Sequence, residues 1–226
     1  RSFPVGFLSV LEMYPLDFEE FAWSCGYGED VLDEAKNAIL NRSPVPEYLH
    51  TRLMDCFYQY LLVGGMPAAV NMFQQNKDIQ SVRTLQRDIL NLYEADRTKY
   101  VRERVEQRQI RMVFEAIPGQ LNNPNKRFKY TRLSKNLRFS NLETAFDWLA
   151  KCGIALKCEK VTEPLFPLSA YADNTMLKLY QNDVGLLTSQ LMGNVDIDIL
   201  NRKSSINFGS IFENAAAQEI KAHGQK

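Results

Sequence analysis

Lys126-Arg127-Phe128-Lys129-Tyr130-Thr131-Arg132 opens the stretch on which the reading of this chain turns. Leu177-Lys178-Leu179-Tyr180-Gln181-Asn182-Asp183-Val184-Gly185-Leu186-Leu187 closes it. Between them, Thr131 to Leu137 is compatible with a short helix. Ser140 or Asn141 then caps a stronger one, Asn141 to Cys152. Its Leu142, Ala145, Phe146 and Leu149 recur at i, i+3, i+4 and i+7, the spacing of one buried helix face. Gly153 ends that helix, Ile154 to Lys160 alternates as a strand does, and Met176 to Tyr180 reads as the return strand. Helix, helix and two extended runs is the order of a winged helix-turn-helix with a small β-wing. Such a module contacts nucleic acid or serves as a packing platform for a protein.

Charge is spread unevenly around this module, although the chain as a whole is neutral. Residues 1–96 hold 7 Lys/Arg against 14 Asp/Glu, residues 97–138 hold 12 against 3, and residues 139–226 hold 8 against 10. A local positive face follows, which attracts nucleic acid, docks on the acidic N-terminal part, or is simply a solvated helix face. The candidate nucleic-acid-binding residues are Lys126, Arg127, Lys129, Arg132, Lys135 and Arg138. The helix from Asn141 turns Asn141, Glu143, Thr144, Asp147 and Lys151 away from its apolar face. Two acids and one lysine suit base edges poorly, because those are read mainly by Arg, Lys, Asn and Gln. The expected contact is therefore with phosphates, largely independent of sequence and sensitive to salt.

Upstream of the module the pattern is helical. Asp17 is a good N-cap, with Glu19 and Glu20 at the positive end of a helix that Gly26 and Gly28 stop. An amphipathic helix from about Glu29 to Leu40 leads to the Ser43-Pro44-Val45-Pro46 break. A long helix then carries Leu49, Leu53, Phe57, Tyr60 and Leu61 on one stripe. It ends at Gly64-Gly65-Met66-Pro67, where glycine supplies a C-cap and Pro67 opens the next helix. Asp78 caps another long helix, and one further helix, Val105 to Ile117, is expected to end at Pro118-Gly119. Phe7 to Tyr14 reads as a strand, Asp183 as the cap of a short helix, and Phe208 to His223 as a helix.

With 45% hydrophobic and 24% charged residues in 226, the composition is that of a globular protein. No apolar run approaches the roughly 18–20 residues that span a bilayer, and the first residues do not form a signal peptide. A cytoplasmic chain with no membrane contact is expected. It lacks an initiator Met and begins at what reads as the edge of a strand, so an excised fragment is expected too. Cys25, Cys56, Cys152 and Cys158 show no CxxC spacing and are expected to be buried free thiols. His50 and His223 are far apart in sequence, so no metal site is expected.

Four landmarks stand in order: Pro15-Leu16-Asp17-Phe18-Glu19-Glu20-Phe21, Tyr60-Leu61-Leu62-Val63-Gly64-Gly65-Met66-Pro67, Lys178 to Leu186, and Phe212-Glu213-Asn214. With them the chain resembles a widespread prokaryotic family of AAA+ ATPases. Its members carry a P-loop core, a helical segment, a winged-helix region and a C-terminal domain of unknown function similar to PD-(D/E)XK nucleases. The resemblance implies four parts: residues 1–25 as the tail end of the ATPase core, 26–104 as the helical segment, 105–190 as the winged-helix domain, and 191–226 as the start of a truncated nuclease-like α/β domain. It implies ATP and magnesium for the parent protein. No GxxxxGK[ST] motif occurs in the 226 residues, so this fragment is expected to hold no cofactor and no catalytic residue. Glu213 would assist metal binding only in the intact parent. The fold expected is mainly α, a helical segment followed by a winged helix-turn-helix. The function expected is that of a non-catalytic part of an ATP-binding protein that contacts nucleic acid, or alternatively of a protein-protein interaction or self-association module.

Overall fold

The computed structural model describes residues 11–191, 195–203 and 205–224. The chain is mainly α. Among the described residues the order is α1 (Phe18–Ser24), α2 (Glu29–Leu40), α3 (Glu47–Val63), α4 (Pro67–Asn76), α5 (Ile79–Tyr100), α6 (Arg104–Leu121), a short 3-10 turn (Tyr130–Arg132) and α7 (Phe139–Lys151). Then come β1 (Ala155–Val161), a second 3-10 turn (Leu168–Tyr171), β2 (Ala172–Gln181), α8 (Val184–Ser189), α9 (Val195–Leu200) and α10 (Phe208–Ala222).

Local chemistry accounts for several helix ends. Asp17 accepts from the Glu20 N–H at 2.8 Å while the Glu20 carboxylate accepts from the Asp17 N–H at 3.0 Å, a reciprocal capping box. Asp78 accepts from the N–H groups of Gln80 and Ser81 at the head of α5. Asp183 does the same for Leu186 at the head of α8. α3 stops where Gly64 takes a φ of 73°, and Pro67 opens α4.

Four elements depart from the sequence-based expectation. α6 does not end at Pro118-Gly119 but runs on to Leu121. Leu121 is fully buried, and the Gln120 side chain exchanges hydrogen bonds with the Lys129 N–H (3.0 Å) and C=O (3.2 Å), which hold the last turn helical despite the missing proline donor. The helix expected over Thr131–Leu137 shrinks to the 3-10 turn, because Tyr130 is drawn into an aromatic cluster with Phe128, Phe139 and Phe146. Phe139 stacks on Phe146 at 6.1 Å, so α7 starts there, ahead of the anticipated Asn141. Of the strand expected at Phe7–Tyr14, residues 7–10 lie outside the described residues. Residues 11–14 form no strand and leave Leu11 and Met13 exposed.

The helices close on two apolar cores. Phe21, Tyr60, Leu61, Leu62, Phe73 and Val82 centre the first, built from α1, α3, α4 and α5. Ile110, Ile117, Phe128, Leu142, Phe146, Leu149 and Leu179 centre the second, built from α6, α7 and the sheet. Each such side chain contributes about 1.5–3 kcal/mol by leaving water. β1 and β2 pair antiparallel from Ala155↔Gln181 outward, with a register shift between Glu159 and Lys160. Helix α10 bridges the cores: Ile211 and Ala215 enter the first while Ala217 lies against the second.

Candidate nucleic-acid interface and the carboxylate beneath it

Six cations of the lead-in do not share one environment. Lys126, at a φ of 49°, points inward and pairs with Glu213 Oε2 at 2.5 Å while donating to the Gly209 C=O at 2.7 Å. Glu213 Oε1 in turn accepts from Lys178 Nζ and from the Tyr180 hydroxyl, both at 2.7 Å. Partial burial works against the Glu213 charge, but the hydrogen bonds from Lys126, Lys178 and Tyr180 outweigh it and hold the carboxyl down to about 2. Lys126 and Glu213 thus tie the loop before the module, β2 and α10 together. Their charge is spent inside the protein.

The other five candidates face out. Lys129, Arg132, Lys135 and Arg138 are exposed and Arg127 is half-buried, and none forms an ion pair among the described residues. From Arg127 to Arg138 the chain holds five cations and no carboxylate. An open groove of about 470 Å³ is lined by two of them, Arg127 and Arg138, together with Tyr130, Phe139, Leu137 and Thr175. Arg127 faces the Asp173 carboxylate and, after the Thr175 hydrogen bonds, helps hold it down, whereas a run of cations without ion pairs suits a polyanion. Aromatic faces between them add surfaces on which a base stacks. The outer side of α7 is committed elsewhere, since Asp147 holds Lys157 of β1 at 2.8 Å.

What fixes this module on the helical segment is a buried carboxylate. Asp183, with no exposed surface, accepts from the Gly65 N–H at 2.6 Å and from the Leu186 N–H at 2.9 Å. The N–H groups of Gly185 and Met66 also point to it. One side chain therefore satisfies the otherwise unpaired donors at the heads of both α4 and α8. Burial pushes its carboxyl up and those four N–H groups pull it down, leaving it at about 6. The close approach demands glycine. A Cβ on Gly64 would lie 2.1 Å from Asp183 Oδ1, and one on Gly185 would lie 2.5 Å from the Val63 C=O.

Polar side chains extend the joint. Thr188 donates to the Leu61 C=O at 2.8 Å and Gln86 to those of Leu62 and Val63 at 2.9 and 3.0 Å, which satisfies the end of α3. Arg83 reaches the Gly185 C=O at 3.2 Å and pairs with Asp196 at 2.6 Å. From α10, Gln218 accepts from the Val184 N–H at 2.8 Å, and Asn214 both accepts from and donates to the Gln181 backbone. The four landmarks of the sequence thus meet at one place. Spacing alone did not reveal Arg83, Gln86, Thr188 and Gln218, polar residues on otherwise ordinary helices. A polar position within the apolar face of α5 was the only available signal.

Two further groupings were not visible in the sequence. Asp17, Glu219 and His223 bring one ligand atom each within 4.8 Å of one another, the group among the described residues that could hold a metal ion. Glu219 Oε1 there already accepts from the Phe18 N–H at 2.9 Å and the Tyr60 hydroxyl at 3.1 Å. The cysteines also separate: Cys56 is buried and Cys25 half-buried, whereas Cys152 and Cys158 are exposed rather than buried as expected. Cys152 lies beyond the apolar face of α7 as its C-cap, and Cys158 lies on the wing.

Among the described residues no helix is long and apolar enough to cross a membrane. No curated protein and no solved structure matches the chain. A family model described as "Domain of unknown function (DUF8612)" matches residues 54–196, from the middle of α3 through the basic lead-in and the wing to the start of α9. The chain belongs to that DUF8612 family.

Proposed function

We propose that this chain is a non-catalytic module that grips nucleic acid through its phosphates, using Arg127, Lys129, Arg132, Lys135 and Arg138. The observation that carries the reading is the run of five cations that form no ion pair among the described residues, two of which, Arg127 and Arg138, line an open groove with Tyr130 and Phe139. Lys126 drops out of the contact set because Glu213 holds it. The acidic outer side of α7 favours backbone contact over base readout.

The wider proposal places the module in a cytoplasmic, prokaryotic ATP-binding protein of the AAA+ class, where it couples nucleotide state to a partner. Its support is the resemblance of the four landmarks and the hydrogen bonds that join them, Leu16 to Gly65, Gly65 to Asp183 and Gln181 to Asn214. ATP and magnesium would belong to the P-loop core of that protein. The alternative is a protein-interaction module, in which the same basic face docks on an acidic surface.

Fluorescence anisotropy with a labelled 20-base-pair duplex separates the two. Binding that is lost on changing the five outward cations to Ala, and retained in Lys126→Ala, supports phosphate contact. Absence of binding at low salt rejects it in favour of a protein partner.

A further inference from the structure

Glu219 and His223 stand four residues apart at the end of α10, where His223 is the C-cap, so their side chains share one face of the helix. Asp17, the N-cap of α1, meets them from the far end of the sequence. One ligand atom from each lies within 4.8 Å of the other two, and His223 Nε2 is 3.6 Å from Asp17 Oδ2. Each side chain is held at one atom and carries a second one free. Asp17 Oδ1 accepts from the Glu20 N–H at 2.8 Å, which leaves Oδ2 facing the imidazole. Glu219 Oε1 accepts from the Phe18 N–H at 2.9 Å and the Tyr60 hydroxyl at 3.1 Å, while Oε2 has no hydrogen bond among the described residues. His223 Nδ1 lies 2.9 Å from the Glu219 C=O. A carbonyl only accepts, so Nδ1 carries the hydrogen and the neutral ring presents its lone pair at Nε2.

That arrangement is the one a metal ion asks for. A ligating histidine characteristically donates its other ring N–H to a backbone carbonyl, and ligating carboxylates are hydrogen-bonded in turn. An ion pair between His223 and Asp17 alone would leave the half-buried Glu219 beside it as a second negative charge. Burial foremost, and the Asp17 charge with it, push the Glu219 carboxyl up, against the pull of the Phe18 N–H and the Tyr60 hydroxyl. A divalent cation satisfies both carboxylates at once. The neighbouring acids are engaged elsewhere: Glu20 accepts from the Asp17 N–H, and Glu19 pairs with Lys36 at 2.6 Å. His223 is exposed, so an ion reaches the site from solvent. One imidazole nitrogen with two carboxylate oxygens suits zinc and its first-row neighbours, whereas calcium and magnesium take oxygen ligands.

We infer that Asp17, Glu219 and His223 form a zinc site, to which Asp17 and Glu219 each give a carboxylate oxygen and His223 gives Nε2. Three protein ligands leave the fourth position of a tetrahedral zinc to water. The ion ties the head of α1 to the end of α10, two helices that both pack on the first core. It acts as a clamp between parts of the chain that are remote in sequence. The inference stands apart from nucleic-acid binding, since none of the five outward cations enters the site.

The test is calorimetric titration of the metal-stripped chain with zinc chloride at about pH 8, where protons compete least for the ring. The Glu219 C=O foremost, and the carboxylates around it, hold the His223 proton more tightly than usual. Saturation at one zinc per chain is expected, and at free zinc about a hundred times Kd the folded-to-unfolded ratio in urea rises about a hundredfold. Loss of an outer-shell partner alone costs about 10–100-fold in metal affinity, so His223→Ala, which removes a ligand, should weaken binding at least about tenfold. Glu219→Gln and Asp17→Asn keep an oxygen for the Phe18, Tyr60 and Glu20 donors, and should bind zinc more weakly with the fold retained. His50→Ala should bind as the wild type does. On the wild-type chain zinc should shield His223 but not His50 from diethylpyrocarbonate, mapped by mass spectrometry. Cobalt(II) in place of zinc should give weak visible bands without thiolate charge transfer. The inference is overturned if zinc binds no more tightly than a Kd of about 1 mM, which reduces the triad to an ion pair at a helix end. It is equally overturned if His223→Ala binds as tightly as wild type, if zinc leaves His223 unshielded, or if thiolate charge transfer shows a cysteine to be the ligand. Shielding and the cobalt spectrum are read on the wild type, so they decide the matter even where a variant fails to fold.

Discussion

Asp183→Asn removes a charge and half of an acceptor set at the joint where α4 and α8 begin. In the wild type two carboxylate oxygens serve the N–H groups of Gly65, Met66, Gly185 and Leu186. The asparagine amide keeps one oxygen and turns an NH₂ towards the other pair, so two backbone donors and the amide lose partners at a site with no exposed surface. At about 1–2 kcal/mol per stranded donor, the variant loses roughly 2–4 kcal/mol at neutral pH. pH supplies a second signature. The folded carboxyl titrates at about 6, above its ordinary 3.8, so the fold binds this proton more tightly than the unfolded chain does. The stability it contributes is therefore fully present below 3.8 and is lost as pH rises through 6. Between pH 7.5 and pH 5 the wild type gains about 1.4 kcal/mol from this group alone. Asparagine gains nothing, and every other titrating group cancels in the comparison. Urea unfolding followed by the fluorescence of Trp23 and Trp148, run at both pH values, measures the difference. A variant within about 0.5 kcal/mol of wild type, or a gap that does not widen at pH 5, would refute the anchoring role.

Other positions yield sharper contrasts between neighbouring residues. Gly64→Ala forces a Cβ to 2.1 Å from Asp183 Oδ1 at a φ of 73° and should cost at least about 2 kcal/mol in urea unfolding. Gly119→Ala, inside α6 with open space around its Cβ, should stabilise by about 0.5–1 kcal/mol in the same assay. Lys126→Ala breaks the pair with Glu213 and should lower stability by about 1 kcal/mol. Its duplex affinity should stay within about twofold of wild type, because the lost charge pairs inward with Glu213 and lies outside the proposed contact set. Lys129→Ala should leave urea unfolding unchanged and weaken duplex binding several-fold, as loss of one phosphate contact does.

Caps and corners were legible in the sequence because their chemistry is local. Asp17, Asp78 and, in its cap on Leu186, Asp183 each act within three residues of their own position, and Gly64-Gly65 and Pro67 signal a change of direction wherever they fall. Readings failed where tertiary packing overrode local preference. Burial of Leu121 and the Gln120–Lys129 exchange carry α6 past Pro118, and the aromatic cluster around Phe146 draws Tyr130 out of a regular helix. The candidate cations could be found as a set but not sorted, since nothing in Lys126 as a lysine distinguishes it from Lys129. Only the position of Glu213, 87 residues further along the chain, separates an inward cation from an outward one. For the same reason the meeting of Asp17 with Glu219 and His223 lay outside any reading of spacing.

The central claim is that five cations between Arg127 and Arg138 hold nucleic-acid phosphates, and the salt dependence of duplex binding tests it most directly. If all five engage phosphates, a plot of log K against log salt has a slope of about −4.5, and raising salt from 50 to 200 mM weakens binding on the order of 500-fold. Replacing the five with Ala should abolish binding at 50 mM salt while α6, α7 and the wing remain folded by circular dichroism. A duplex that does not bind at 50 mM, or one bound equally well by the five-alanine variant, would contradict the account.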